Sequence, residues 1–346
     1  MSKLIAALPR LQLAQLPTPL VEAPRLLPML LGIAGPTLYL KRDDLTGTAL
    51  SGNKVRKLEF LLAEARARGA DTILTCGGGQ SNHCRAVALA AAELGLRCIL
   101  FLRVEDPAQP PPLAGNLLLG ALAGAELRFI SRAAYLDRAA LMATAGDELR
   151  AHGRAGYVIP EGGSNALGSL GYVRCVEELR DQVPEPQRPL TIVHAAGSGG
   201  TGAGLLLGIA LCRLPWRVAS VNVCDDGPYF VRRVREILDE AASRFALPEA
   251  AQLSAEGERV IDMRDGYVGR GYALSQPAEL QLIAAACRAQ GLVLDPVYTG
   301  KALRGLVEEL RRDATTFGER VVFVHTGGIY GLLAKAEELA AVVTNS

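Results

Sequence analysis

Leu38-Tyr39-Leu40-Lys41-Arg42-Asp43-Asp44, followed by Ser51-Gly52-Asn53-Lys54-Val55-Arg56-Lys57-Leu58-Glu59-Phe60, is the stretch that decides the fold. The first run alternates apolar and polar residues and then turns charged, as a strand leaving a core does. The second run is helical, because Val55, Leu58, Leu61, Leu62 and Ala65 recur at three- and four-residue intervals, with Gly69 placed to end the helix. Lys54 therefore stands where a loop becomes a helix. Its ammonium faces the positive end of the helix dipole, which favours the neutral amine, and a neutral lysine is a nucleophile toward an aldehyde. The competing reading is a solvated lysine at a basic helix start, since Arg56 and Lys57 are close by.

Working outward, strands and helices alternate. Strands are predicted at 71–76, 97–102, 126–130, 157–159, 190–195, 218–223 and 321–325. Helices are predicted at 82–94, 117–123, 135–152, 166–180, 203–211 and 278–290, with a last one from Gly331. Residues 1–37 are punctuated by proline and read as an extended arm. Strands separated by helices imply parallel strands joined by crossovers, hence an α/β protein of open parallel sheets. The expected division is a larger lobe from 1–54 and 166–346 and a smaller inserted lobe from 55–165. Ligands in such folds bind beyond the carboxyl ends of the strands.

Four polar or glycine-rich loops follow those strands: Gly77 to His83, Glu161 to Asn165, Gly197 to Gly202, and His325 to Gly328. The third opens a helix, and its backbone N–H groups, with the hydroxyls of Ser198 and Thr201, suit a phosphate. Read literally, Gly197-x-Gly199-x-x-Gly202 with Asp225-Asp226 beyond the next strand is also a dinucleotide fingerprint. That rival, an oxidoreductase, places the fingerprint past the middle of the chain and leaves Lys54 and Gln80-Ser81-Asn82 without a role. A phosphate cup plus an activated lysine points instead to pyridoxal 5'-phosphate, joined through its aldehyde to Lys54.

Composition excludes other classes. The 346 residues carry 37 Lys+Arg against 36 Asp+Glu, so no basic excess exists to neutralise nucleic-acid phosphates. Seven scattered cysteines, none in a C-x-x-C pair, fit reduced thiols and give neither a disulfide framework nor a zinc site. No metal is expected. Gly197-Ser198-Gly199 lacks the frame of a hydrolase nucleophile elbow. The proline-bearing N-terminus reads as no signal peptide, and the uncharged run 195–212 as a glycine loop with a buried helix rather than a membrane span. A soluble cytoplasmic protein is the expectation.

Ser51-Gly52-Asn53-Lys54, Arg56-Lys57-Leu58-Glu59, Gln80-Ser81-Asn82-His83, Gly162-Gly163-Ser164-Asn165 and Asp295-Pro296-Val297-Tyr298-Thr299-Gly300-Lys301 together resemble one group of enzymes. It is the D-cysteine desulfhydrase / 1-aminocyclopropane-1-carboxylate deaminase family, of the tryptophan-synthase-β-like fold (fold type II). The resemblance runs from about residue 16 to about residue 331. It implies Lys54 as the Schiff-base lysine, Asn82 beside the cofactor's ring hydroxyl, and Gly197, Ser198, Gly199, Gly200 and Thr201 as the phosphate cup. It implies Ser81 as a substrate-side hydroxyl, with Asn82, His83, Ser164 and Thr299 also on the substrate, although His83 read by itself is a structural histidine. Tyr298 and Tyr272 resemble the two active-site tyrosines, and a homodimer is the implied assembly.

Two positions separate the branches of that family. Ring-opening deaminases carry Glu after the motif tyrosine and Leu before the late Gly-Gly; this chain has Thr299 and Thr326, which is similar to the desulfhydrase branch. Thr326 is the residue expected at the ring nitrogen. The implied reaction is an α,β-elimination, with D-cysteine giving pyruvate, sulfide and ammonia. L-cysteate, 3-chloro-D-alanine, D-serine and 1-aminocyclopropane-1-carboxylate are the alternative substrates. Lys54 is the default base, with Ser81 or a tyrosine open for the opposite face, and Tyr298 or Tyr272 is the acid for the leaving group. Three departures stand out: Gly78-Gly79 where bulkier apolar residues belong, His194 in place of a small residue, and a loosely matching Arg270–Gln276 segment.

Overall fold

The computed structural model describes residues 7–344. Ten strands occur among them: β1 (Leu20–Glu22), β2 (Thr37–Lys41), β3 (Thr72–Gly78), β4 (Arg97–Arg103), β5 (Glu126–Ile130), β6 (Gly156–Val158), β7 (Leu190–Ala196), β8 (Trp216–Asn222), β9 (Asp262–Arg264) and β10 (Arg320–Val324). They form a six-stranded sheet in the order β1-β2-β10-β7-β8-β9 and a four-stranded sheet in the order β5-β4-β3-β6. Only the β1–β2 pairing is antiparallel. The smaller sheet comes wholly from residues 72–158, and the larger from strands on both sides of that segment.

Parallel strands need cover on both faces, and the sequence supplies it: every residue of β3, β7 and β10 is buried. One contiguous apolar cluster joins the two sheets, because it holds Ile73 and Leu100 of the small sheet together with Ile192 and Val218 of the large one. The helices Lys54–Ala67, Ala166–Gln182 and Gly200–Cys212 carry that cluster across, through Leu58, Leu170 and Leu205.

Several elements differ from the sequence reading. The glycine-rich helix begins at Gly200, three residues earlier than its apolar pattern predicts, because its glycines are packing positions. In the added first turn a Cβ on Gly200 would lie 2.6 Å from Ser164 Oγ, and one on Gly202 3.2 Å from His194 Nε2. Tight apposition to neighbouring segments overrides the weak helix propensity of glycine. The predicted helix 135–152 is two, Arg132–Leu136 and Arg138–Ala151. The first is started by Ser131, which caps Ala134 N, and is held by Tyr135, whose hydroxyl donates to Glu161 at 2.6 Å. The N-terminal arm contains strand β1 and a helix, Leu26–Leu31; residues 1–6 of that arm lie outside the described part. Helices Gly227–Phe245, Pro248–Glu256 and Thr299–Arg312 add to those read from the pattern. The expected last helix is a short pair, Ile329–Leu333 and Ala336–Val343.

The run before Lys54 is anchored by a buried charge cluster. Asp43 accepts from Thr18 Oγ1, from Arg56 Nε and NH2, and from Tyr172 Oη, all within 2.9 Å. Arg56 also reaches Glu178, which accepts in turn from Lys41. Burial would raise the Asp43 pKa, but the Arg56 guanidinium beside it outweighs that and holds the carboxyl below its ordinary value. This network fixes the loop from which the Lys54 helix starts, since Gly52 N donates to Asp43 O at 3.1 Å.

Candidate active site

The loops at the carboxyl ends of β3, β7 and β10 converge on one cavity of about 600 Å³. Lys54, Ser81, Asn82, His83, Gly197, Ser198, Gly199, Thr201, Tyr272, Tyr298 and Thr326 line it, with Asn53 and Ser164. Lys54 is the first residue of its helix, and its Nζ donates to Asn53 Oδ1 at 3.2 Å. No carboxylate among the described residues lies within ion-pair distance of it. Burial lowers its pKa from 10.5 to about 8, against the pull of Asp295, Glu161 and Cys224. Two backbone links hold the amine's loop to the end of the large sheet. Asn53 N donates to Thr326 O at 3.1 Å, and Gly52, at φ +107°, lies so close to that oxygen that a Cβ would sit 2.9 Å from it.

The glycine loop lies beside this amine: Asn53 Nδ2 reaches Thr201 Oγ1 at 3.3 Å. The N–H groups of Gly197, Ser198 and Gly199 make no hydrogen bond with any described residue, and Gly199 caps the helix at φ +83°. Unpaired amides at the start of a 13-residue helix, next to two hydroxyls, form an anion cradle. Its floor is already organised. Ser164 Oγ accepts from Gly200 N at 3.2 Å and from Lys57 Nζ at 3.0 Å, and pairs with Ser198 Oγ at 2.8 Å. Gly200 is therefore engaged with Ser164 rather than left free, and Ser164, expected on the substrate, sits under the glycine loop.

The other expected residues fall as follows. Ser81 caps the Asn82–Glu93 helix by accepting from Cys84 N at 3.2 Å, so its capping role and its place on the cavity coexist. Asn82 Oδ1 accepts from Asn116 Nδ2 at 2.9 Å, which fixes the orientation of its amide. His83 Nε2 donates to Thr75 Oγ1 at 2.8 Å, because that hydroxyl gives its own proton to Ile159 O. Burial drives the His83 pKa well below 6.5, so the ring is neutral. Tyr272 and Tyr298 share a hydrogen bond at 2.7 Å, ring edge to ring face, and burial raises both phenol pKa values. Thr326 is buried at the cavity wall.

Thr299 corrects the sequence reading. It is fully buried, does not line the cavity, and gives its hydroxyl to Asp295 Oδ1 at 2.7 Å. Asp295 also accepts from the N–H groups of Val297, Tyr298 and Thr299, each at 2.9 Å, so the motif around Tyr298 is a turn clamped by one carboxylate. His194 likewise serves the frame. It bridges Ser220 Oγ and the Ala195 carbonyl beneath Gly202, and burial lowers its pKa to about 4. Sequence reasoning missed Asn53, Asp295 and Lys57. The signal for Lys57 was its spacing, three residues from Lys54 on one helical face, and for Asp295 a carboxylate four residues before a threonine.

The donor set fits pyridoxal 5'-phosphate: free amides and hydroxyls for a phosphate, a lysine whose ammonium form burial disfavours for an aldehyde, and an amide and a hydroxyl for the ring. Of the two aspartates in the dinucleotide reading, Asp226 is spent as a helix cap: it starts the Gly227–Phe245 helix by accepting from Tyr229 N at 2.6 Å. A family model described as pyridoxal-phosphate dependent enzyme matches residues 11–327, and the chain belongs to that family. It is an enzyme of fold type II that uses pyridoxal phosphate.

The relatives are more specific. The chain is 40% identical over 319 residues to the mitochondrial bifunctional D-cysteine desulfhydrase/1-aminocyclopropane-1-carboxylate deaminase of Arabidopsis thaliana, covering 90% of this chain and 77% of that one. It is 37% identical over 330 residues to a D-cysteine desulfhydrase of Salmonella newport, covering 94% and 96%. A crystal structure described as an ACC deaminase homologue superposes with a TM-score of 0.86 at 36% identity, covering 98% of each chain. No helix among the described residues is long and apolar enough to cross a membrane.

Proposed function

We propose that this protein catalyses an α,β-elimination on small amino acids, with D-cysteine and one water giving pyruvate, sulfide and ammonia. One observation carries the reading. A lysine amine without an acidic partner and a cradle of unpaired backbone N–H groups line the same cavity, joined by the Asn53–Thr201 hydrogen bond. When bound, the cofactor supplies an electron sink that makes the α-proton of an amino acid acidic.

The chain's own residues supply the rest. The amides of 197–199, with Ser198 and Thr201, would hold the phosphate, and Ser164 and Lys57 brace that loop from below. Asn82 and Thr326 would orient the ring, and Thr326 would offer it an uncharged hydroxyl, a weaker partner than a carboxylate, which suits loss of a good β-leaving group. Ser81 and the start of the Asn82–Glu93 helix hold the substrate carboxylate. Lys54 Nζ, whose ammonium form burial disfavours, takes the α-proton. Tyr298 Oη gives a proton to the departing sulfur, and Tyr272 Oη at 2.7 Å resupplies it. The raised phenol pKa values keep both tyrosines protonated at neutral pH, as an acid must be. Residues 55–165 act as a smaller lobe over the larger one in this reading, and the protein works as a cytoplasmic homodimer; sedimentation checks the assembly.

The test is direct. Borohydride reduction of the holoenzyme followed by peptide mapping should fix the cofactor on Lys54, and Lys54→Ala should abolish both the label and pyruvate formation. A panel of D- and L-amino acids with β-leaving groups, scored for pyruvate, ranks the substrates. A label on any other lysine, or pyruvate from none of the panel, overturns the proposal.

A further inference from the structure

Asn116 lies outside the cavity, yet it governs a side chain that lines it. It is the second residue of the Gly115–Leu122 helix, is 2% exposed, and does not contribute to the cavity wall. Its Nδ2 donates to two acceptors, the Gln80 carbonyl oxygen at 3.0 Å and Asn82 Oδ1 at 2.9 Å. Its backbone N–H donates to Gln80 Oε1 at 3.0 Å, and Gln80 Nε2 donates to the Ala114 carbonyl at 2.9 Å.

The direction of each bond in this chain is forced. A backbone carbonyl only accepts, so the Gln80 carbonyl must face the NH2 end of Asn116; a backbone N–H only donates, so that of Asn116 must face the oxygen of the Gln80 amide. The same NH2 end of Asn116 meets Asn82, which has to answer with its oxygen. Asn82 Nδ2 is thereby turned away from Asn116, and it makes no hydrogen bond with any described residue, on a side chain that lines the cavity. An amide can present either end to a ligand; this one is committed to presenting its donor.

The arrangement is retained although it leaves a group unsatisfied. Asn116 Oδ1 is buried without a partner among the described residues, which is unfavourable, so the amide is kept there for its NH2 end. The backbone beside it is wedged in place. Gly115 sits at φ +52°, and a Cβ there would lie 2.3 Å from the Tyr330 carbonyl oxygen.

We propose that Asn116 is a positioning residue for the cofactor: it holds Asn82 Nδ2 toward the oxygen on the pyridine ring, and so sets the pKa of the proton which that oxygen shares with the Lys54 nitrogen. This rests on the place given to Asn82 at the ring under Proposed function, and not on the elimination or its substrate. A donor aimed at the ring oxygen stabilises its anionic form, so the oxygen holds the shared proton less tightly and the pKa is lowered. Without Asn116 the Asn82 amide is free to turn and offer Oδ1, which repels an oxyanion and acts in the opposite sense.

Absorbance titration of the holoenzyme reads that pKa from the pH at which the visible band of the bound cofactor changes, with no turnover. Asn82→Ala should raise it by about one unit, the equivalent of one hydrogen bond. Asn116→Leu, which removes the directing donor, should raise it by about half a unit and weaken cofactor binding about 3-fold in equilibrium dialysis. In the Asn82→Ala background Asn116→Leu should move the pKa by less than about 0.2 unit, because its effect passes through the Asn82 amide; a role in packing alone gives no such dependence. Asn116→Ser, with one proton for two acceptors, should fall between the wild type and Asn116→Leu, and it decides if the leucine variant does not fold. A pKa unmoved by the Asn116 substitution but raised by Asn82→Ala overturns the role of Asn116 and leaves Asn82 at the ring. A shift as large in the Asn82→Ala background as in the wild type overturns it too. A pKa unmoved by Asn82→Ala takes Asn82 from the ring oxygen, and the proposal falls with it, while pyruvate formation by the wild type judges the elimination separately.

Discussion

The depressed pKa of Lys54 has a consequence that needs no substrate. Burial brings the amine from 10.5 to about 8 in the cofactor-free protein. At pH 7 an amine with a pKa of about 8 is roughly one-tenth neutral, whereas at 10.5 it is neutral in about three molecules of ten thousand, a difference of about 300-fold. Only the neutral amine attacks an electrophile. Competitive acylation of the apoenzyme with a trace of acetic anhydride between pH 6 and 10, read out by peptide mass spectrometry, should therefore show Lys54 reactivity levelling off near pH 8. The sign is fixed by the direction of the shift: below that pH the rate should fall about tenfold per unit as the amine becomes protonated. Capture of pyridoxal phosphate by the apoenzyme should follow the same limb. Lys54 reactivity that still climbs tenfold per unit through pH 9.5 would refute the view that burial neutralises the amine.

Further outcomes are fixed by the geometry. Asp43→Asn removes the fully buried anion that faces Arg56 and leaves Glu178 as that cation's remaining carboxylate, which should cost about 1–3 kcal/mol in urea unfolding; a loss under about 0.5 kcal/mol would contradict the network's role. Asp43 and Glu178 are both held below their ordinary values, so their contribution is present above the unfolded pKa and lost as pH falls through the folded one. Unfolding midpoints of the wild type should accordingly drop below about pH 4, with a shallower acid limb in Asp43→Asn. Gly162→Ala places a Cβ 2.3 Å from Ser198 Oγ at φ +67° and should weaken cofactor binding by at least about tenfold in equilibrium dialysis, strain and clash together costing about 1–2 kcal/mol. Tyr298→Phe should lower kcat on D-cysteine about 100-fold with little change in KM, and Tyr272→Phe less; a change in KM alone would remove both from proton transfer.

Much of this site could be read locally. The Lys54 helix shows in its apolar spacing, the glycine loop in its place between an apolar strand and a helix, and the parallel sheets in the alternation of strands with crossover helices. Such signals survive in sequence because they come from backbone periodicity and from residues within a turn of one another. The misreading of the glycine helix was not local: it starts early because Gly200 packs against Ser164 and Gly202 against His194, a fact about neighbours and not about the segment itself.

Sequence by itself determined the class of fold, the place of Lys54 at the start of a helix, and the glycine loop between an apolar strand and a helix. Tertiary structure decided which side chains meet there. Asn53 touches Thr201 across 148 positions, and Ser164 turns out to brace the glycine loop. Thr299 is spent on Asp295, and Asn116 fixes the Asn82 amide. Those relations follow from sheet register and from the path of the crossovers, which bring strand ends together whatever their separation along the chain, and no short-range pattern encodes them.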